Sequence, residues 1–349
     1  MSFSRRSLST SLLTSLIKPD RTLSASEYSL LSIKRDASLA STRCRRKLCP
    51  LDYLPDNLTS LFNLKYLNLF GTPITELPES IGQLGNLQTL NITETKIEAL
   101  PRVIGVRIPS SIRKMKKLQS LLRIESEGNI IRLIGSMTQL KFLGITNVKE
   151  RDEEDLCASI QEMKVLSRLF LFVSHGEEFL RVDALSSPSP YLDRLELVGK
   201  LEKVPHWFCS LHSLTYMNLQ GSRLEEDLLP HIEALPSLLS LSLNNASVRK
   251  ELCFNRGFVK LRHLWLWNLA LLNKITIEKG AMPNLEFLSI RRCLTLETLP
   301  QGIEHLTKLQ RFRFYIVSEK FRESIKEGGR TIRTSNIVMS EVSFPRRVI

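Results

Sequence analysis

A six-residue pattern, Leu-x-x-Leu-x-Leu, constrains the fold of this chain more than any other feature. Its clearest copies are Leu64-Lys65-Tyr66-Leu67-Asn68-Leu69 and Leu87-Gln88-Thr89-Leu90-Asn91-Ile92. The register starts again at Leu118, Leu140, Leu166, Leu192, Leu214, Leu238, Leu261, Leu285 and Leu309, with successive starts 22 to 31 residues apart. Positions four and six of each copy alternate as strand residues do, so Leu67 and Leu69 share one face. Asn68 and Phe70, between and after them, take the other.

One copy cannot bury its own leucines, but stacked copies can, with their strands paired in parallel over a continuous core. Each fully buried leucine contributes roughly 1.5–3 kcal/mol. The period and the motif together are those of a leucine-rich repeat. The predicted fold is therefore an α/β solenoid, a horseshoe with a parallel sheet on its concave face and short helical or irregular turns on its convex face. An array of amphipathic helices is excluded. The strand spacing recurs in fixed register, and Pro, Gly and Thr follow it where a helix would have to continue.

The chain of 349 residues divides into three parts. Residues 1–27 read as a disordered or transit-like leader, Ser-rich, with Arg5, Arg6 and Lys18 and no acid before Asp20. Residues 28–316 form the solenoid, with a candidate early strand at 28–33. The repeat that should start near residue 41 has Ser41, Cys44 and Arg46 where apolar residues belong, so the array enters in mid-repeat without a visible cap. It is most regular over 57–101. A compressed junction follows at 102–117, where Leu100-Pro101 and Ile104 are succeeded almost at once by Ile108-Pro109 and Ile112. Residues 317–349 read as a charged closing helix over 319–327 and a tail.

The formal net charge of +13 lies mostly in the ends: +7 in residues 1–47 and +5 in 310–349, leaving +1 for the body. With no basic groove interleaved with aromatics, nucleic acid is not the expected partner. No run of about 18 apolar residues is present, so no membrane span is expected. The six cysteines form no C-x-x-C, so no metal site is expected. Single scattered cysteines suit a reducing compartment. Cys293 falls at the ninth position of its repeat, a structural place. Phosphate-loop, dinucleotide, zinc-protease and EF-hand signatures are absent, so no cofactor, small-molecule substrate or catalytic residue is expected. Asn57, Asn91 and Asn245 begin glycosylation sequons that matter only in a secreted protein.

Two surfaces stand out. The first is the outward face of the strands, which includes Phe170, Phe172, Tyr216, His263, Trp265, Trp267, Phe287, Arg291 and Tyr315. Aromatics and arginine are the residue types that anchor protein interfaces. Six of them, from His263 to Tyr315, fall on three adjacent repeats near the C-terminal end. Packing against a loop or the C-terminal tail is the alternative use of these rings. The second is a basic run with Arg107, Arg113, Lys114, Lys116, Lys117 and Arg123 and no acid between 102 and 124. It reads first as a solvated convex face and second as a docking patch for an acidic partner. The acidic run 149–155, read as part of the next loop, would offset it.

The stretch LTSLFNLKYLNLFGTPITELPESIGQLGNLQTLNITETKIEALP, with the later MPNLEFLSIRRCLTLETLPQGIEHLTKLQRF, resembles the repeats of plant intracellular immune receptors. It is similar to the disease-resistance class built from a coiled coil, a nucleotide-binding module and leucine-rich repeats, over about residues 28–316. The L-x-G-x-I-P element of plant cell-surface receptors is missing. The resemblance implies a cytoplasmic recognition module whose partner is a protein: a pathogen effector, a guarded host protein, or the receptor's own nucleotide-binding domain held inactive. The motifs of that domain are absent from this chain, so the resemblance also suggests a truncated relative. A stand-alone repeat scaffold, directed to an organelle by its leader, is the alternative.

Overall fold

The computed structural model describes residue 54 and residues 63–69, 77–91, 110–126, 129–175, 177–333 and 338–341. The leader, the candidate strand at 28–33, Phe70, Arg107, most of the compressed junction and the end of the tail lie outside the described residues.

Among the described residues, twelve parallel strands form one sheet in the order of the chain. They are β1 (Tyr66–Asn68), β2 (Thr89–Asn91), β3 (Ser120–Glu125), β4 (Phe142–Val148), β5 (Arg168–Val173), β6 (Arg194–Val198), β7 (Tyr216–Gln220), β8 (Ser240–Asn244), β10 (His263–Trp267), β12 (Phe287–Arg291), β13 (Arg311–Tyr315) and β14 (Val338–Glu341). Two further strands, β9 (Glu251–Phe254) and β11 (Lys274–Ile277), pair with each other in a second, narrower ladder on the return arms. The bridges Phe179 to Lys200, Leu224 to Ser247 and Thr276 to Gln301 extend that ladder.

The leucine register explains the sheet. From β5 onward, equivalent residues of successive repeats are paired: Leu169, Leu195, Met217, Leu241, Leu264, Leu288 and Phe312 form one row. Every member of that row is buried, as are the leucines that open each repeat from Leu87 to Leu309. The core is thus a stack of apolar layers, each completed by its neighbours.

Short return turns close each layer. The return arms carry single helical turns at Glu79–Gln83, Ser110–Lys114, Glu150–Asp152, His206–Ser210 and Ile303–His305, together with α1 (Ile130–Gly135), α2 (Glu153–Glu162) and α3 (Leu229–Ile232). Pro78, Pro205 and Pro300 precede three of these turns and Pro230 opens α3, as a fixed φ favours. Several then end alike. Leu84 at φ −75°, ψ 62°, and Leu306 at φ −82°, ψ 68°, are the centres of inverse γ-turns. The amides of Gly85 and Thr307 donate across them to the carbonyls of Gln83 and His305. The central residue points inward and is buried, which terminates the helix and feeds the chain into the next strand.

The strands end by a second recurring device. Asn147, Asn245, Asn268, Arg292 and Ile316 have φ between 50° and 57°, and Gly221 has φ 71°, all at the eighth place of the repeat. Asn tolerates this left-handed conformation well, which gives Asn245 a structural role.

Three segments differ from simple expectation. The interval of 31 residues between Leu87 and Leu118 adds no strand among the described residues, and β2 pairs directly with β3. The acidic run 149–155 forms a short helical turn at Glu150–Asp152 and the start of α2, where Glu153, Glu154 and Asp155 occupy the positive end of the helix dipole. Its charges meet Arg132 and Arg181. At the C-terminus a helix, α4 (Glu319–Arg333), extends beyond 327 and leads into β14, which pairs in parallel with β13. Phe321 of α4 is fully buried 6.1 Å from the Phe314 ring, covering the last layers of the core.

Candidate functional site

Outward positions along the sheet fall into three rows. The first runs Phe142, Arg168, Arg194, Tyr216, Ser240, His263, Phe287 and Arg311 across neighbouring strands. The second runs Phe170, Glu196, Asn218, Ser242, Trp265, Ser289 and Arg313. The third runs Phe172, Val198, Gln220, Asn244, Trp267, Arg291 and Tyr315. Side chains in a row stand on strands about 4.8 Å apart, so long side chains touch across strands.

The C-terminal end of this lattice is a connected cluster. His263 stacks on Trp265 at 5.7 Å between ring centres, and Phe287 lies 5.8 Å from Trp265 and 6.4 Å from His263. Ser240 lies 3.3 Å from Nδ1 of His263, and the Trp267 indole donates to Ser289. Arg291 sits between two rings, 5.7 Å from Trp267 and 5.3 Å from Tyr315. Arg311 and Arg313 approach Phe287 at 5.7 and 5.6 Å. Each such contact contributes about 0.5–2 kcal/mol, depending on desolvation. The rings are half-buried, while Arg311 and Arg313 are exposed.

A second cluster lies over β3–β7. Arg168 covers Phe142 at 4.7 Å and Arg194 covers Tyr216 at 4.4 Å. Arg123 joins them through a bulge. The register between β3 and β4 shifts after Leu121, Arg123 has φ 56°, and Ile124 is turned into the core. The guanidinium of Arg123 then lies 5.2 Å from the Phe172 ring. Gly144 accommodates the bulge, since a β-carbon there would stand 3.0 Å from the Arg123 nitrogen. Burial pushes the Glu196 carboxyl above its usual range, although Arg194 and Arg123 pull it down. Burial, with Glu196 beside it, also pushes the Tyr216 hydroxyl up.

The structure therefore places His263, Trp265, Trp267, Phe287, Arg291 and Tyr315 in one cluster, and Phe170, Phe172 and Tyr216 in or beside the other. Arg113, Lys114, Lys116 and Lys117 are exposed on and after the return turn at Ser110–Lys114, where Lys117 bonds to Asn86. Arg123 leaves that basic run for the concave face. Sequence reasoning passed over Arg168, Arg194 and Arg311 as contact residues, although all three hold the third position of the repeat, an outward place. The bulge at Arg123 has no comparable signal in the pattern.

Cys293 is buried and its thiol faces the carbonyls of Leu266 and Arg291. Among the described residues no group of three or more His, Cys, Asp or Glu side chains is arranged to hold a metal ion. No described helix is long and apolar enough to cross a membrane.

Residues 49–335 match the family described as leucine-rich repeat region. The disease resistance protein RPM1 of Arabidopsis thaliana is 36% identical over 231 residues, covering 66% of this chain and 25% of that protein. The probable disease resistance RPP8-like protein 2 of the same plant is 30% identical over 241 residues, covering 64% and 26%. The chain thus spans about a quarter of the length of these relatives. A leucine-rich-repeat protein of Leptospira interrogans has the same fold, with a TM-score of 0.50 at 20% identity over 83% of this chain and 81% of that one. The leucine register, the single parallel sheet and the match over 49–335 agree: the chain belongs to the leucine-rich repeat region family, and its repeats are similar to those of plant disease-resistance proteins.

Proposed function

We propose that this chain is a protein-recognition module acting in plant defence, and that its concave sheet face is the docking surface. The observation that carries the reading is the cluster of half-buried rings and arginines over β10, β12 and β13. A contiguous, partly exposed aromatic patch marks an interaction site, and Trp, Tyr and Arg dominate binding energy at interfaces. The similarity to disease-resistance proteins supports a defence role. A pathogen effector, a guarded host protein, or a nucleotide-binding domain kept inactive by the repeats would be the partner, in the cytoplasm.

The test replaces the matched quarter of RPM1 with residues 49–335 of this chain and scores cell death in leaves, while co-precipitation measures association of the intact chain with the remaining three quarters of RPM1. The triple variant Trp265→Ala, Trp267→Ala, Phe287→Ala is compared with the parent. Loss of association and a changed leaf response in the variant support the reading. Identical behaviour of variant and parent places recognition elsewhere, and no association by either removes the inhibitory partner from the proposal.

A further inference from the structure

On β5–β8, β10, β12 and β13 the three outward rows carry Arg168, Arg194, Arg291, Arg311 and Arg313 against one acid, Glu196. Arg123 adds a sixth guanidinium from the bulge on β3, and Glu125 of the same strand, which accepts from Asn147, adds a second acid. At the strand entrances Asp193 offsets one guanidinium, 3.9 Å from Arg168, while Glu286 is matched by Arg262 at 3.6 Å, so the face keeps an excess of cations. Over residues 48–316, which hold all six arginines, the net charge is +3, so the concave face concentrates cations beyond the average of these repeats.

Their placement is specific. Arg168 and Arg194 are paired residues on neighbouring strands. Like charges directly opposite each other on a sheet are unfavourable, and each leans outward over a ring, Phe142 or Tyr216, with Arg168 also 3.9 Å from Asp193. Arg291, Arg311 and Arg313 likewise rest on Trp267, Tyr315 and Phe287. A ring beneath the guanidinium plane fixes its orientation and leaves its N–H edges as donors. Those edges match the two oxygens of a carboxylate. Arg194 and Arg291, one in each station, both have a buried Nε without a hydrogen-bond acceptor.

Between the stations the outward positions of β7, β8 and β10 are uncharged: Asn218, Gln220, Ser242, Asn244, Trp265 and Trp267 among them. Measured across the strands, Arg194 on β6 and Arg291 on β12 are four steps apart, or about 19 Å. An extended chain covers that in roughly six residues.

We propose that the concave face binds an acidic polypeptide segment that lies across the strands, with two carboxylate-rich blocks about six residues apart, one at Arg123, Arg168 and Arg194 and one at Arg291, Arg311 and Arg313. The inference rests on the reading of this face as a protein-docking surface. A single-stranded nucleic acid is disfavoured because the ring faces that would stack on bases are already covered by guanidiniums or by one another.

Fluorescence anisotropy with the full chain tests the proposal. The probes are labelled peptides with two Glu-Asp-Glu blocks joined by Gly-Ser spacers of two, six or twelve residues, the same peptides with Gln and Asn in place of Glu and Asp, and a uridine oligonucleotide of equal charge. The six-residue spacer is expected to bind about tenfold more tightly than the two-residue spacer, by effective concentration. The variants Arg291→Gln/Arg311→Gln/Arg313→Gln and Arg168→Gln/Arg194→Gln are each expected to reduce it to the affinity of a single block, with a retained cooperative thermal transition as the control for folding. Equal binding of the neutral peptides, indifference to both arginine sets, or tighter binding of the oligonucleotide overturns the proposal. The two readings separate cleanly. If the Trp265, Trp267, Phe287 variant loses its protein partner while the arginine variants keep it and acidic peptides do not bind, the docking face stands and the acidic segment falls. If the aromatic variant keeps its partner, the docking face itself falls.

Discussion

Gly302 lies directly against the carbonyl of Ile277 in the preceding repeat. A β-carbon at Gly302 would stand 2.0 Å from that oxygen, and the residue has φ 80°. The contact belongs to the return ladder, where the Ile277 amide donates to Gln301 and the Gln301 amide donates to Ile275. Gly302→Ala must push two repeats apart and strain the backbone, at a cost of about 1–3 kcal/mol for the conformation alone. A clear fall in the thermal midpoint of the chain is expected. An unchanged midpoint would show that the return ladder yields without cost.

The three tryptophans report on the two faces of the sheet separately. Trp207 is buried, packs edge-on against Phe208 at 4.9 Å and donates its indole N–H to Val182. Trp265 and Trp267 are half-buried among arginines. A cationic surface concentrates anions, so iodide should quench their emission several-fold more strongly than caesium, and more so at low salt. In a Trp265→Phe, Trp267→Phe variant the remaining emission should be shifted to the blue and resist both ions. Equal quenching by iodide and caesium would contradict the cationic face. Trp207→Ala should cost about 3–5 kcal/mol in the unfolding equilibrium, as large core truncations do.

Thiol chemistry distinguishes core from surface. Burial pushes the Cys157 thiol up to about 12 and the Cys293 thiol up to about 11, whereas Cys209 is exposed. At pH 8 the thiolate fraction of Cys157 and Cys293 is on the order of one in a thousand or less. Alkylation of the native chain followed by peptide mapping should mark Cys209 and leave these two unmodified, and denaturant should expose both. Prompt labelling of Cys293 in the native chain would mean that its layer of the core opens readily.

Glu196 gives the concave face a pH dependence of predictable sign. Its carboxyl is raised in the folded state, first by burial. The folded chain therefore holds this proton more firmly than the unfolded chain does. The stability so contributed is present at low pH and lost as pH rises through the folded value. Glu196→Gln removes the loss. The variant should gain in thermal midpoint over the parent at pH 7.5, and the gap should narrow toward pH 4.5. A gap that widens on acidification would show that Arg194 and Arg123 outweigh burial.

The concave clusters were partly legible because outward positions of a strand follow from its inward ones. Once Leu264, Leu266, Leu288 and Ile290 are assigned to the core, His263, Trp265, Trp267, Phe287 and Arg291 must face the other way. The same rule held Arg168, Arg194 and Arg311, whose charge drew less notice than neighbouring rings. Arg123 was not legible. Its position depends on an added residue in β3 that turns Ile124 inward, and the pattern Leu118 to Leu121 reads the same with or without that bulge. The acidic run at 149–155 was misplaced for a related reason: charge alone does not distinguish a loop from the first turn of a helix.

By itself the sequence determined the repeat, its register, the buried leucines and the outward residues of each strand. A period-two strand with a leucine at fixed places has one arrangement that buries them, the parallel stack. Tertiary structure alone decided which outward residues meet across strands, where the bulge brings Arg123, and why position 302 must be glycine. Leu77-Pro78-Glu79-Ser80-Ile81 and Leu299-Pro300-Gln301-Gly302-Ile303 are the same motif in two repeats. Ser80 is tolerated in one, while in the other the Ile277 carbonyl leaves no room for a side chain, because that distance is set by the neighbouring repeat and not by the segment itself.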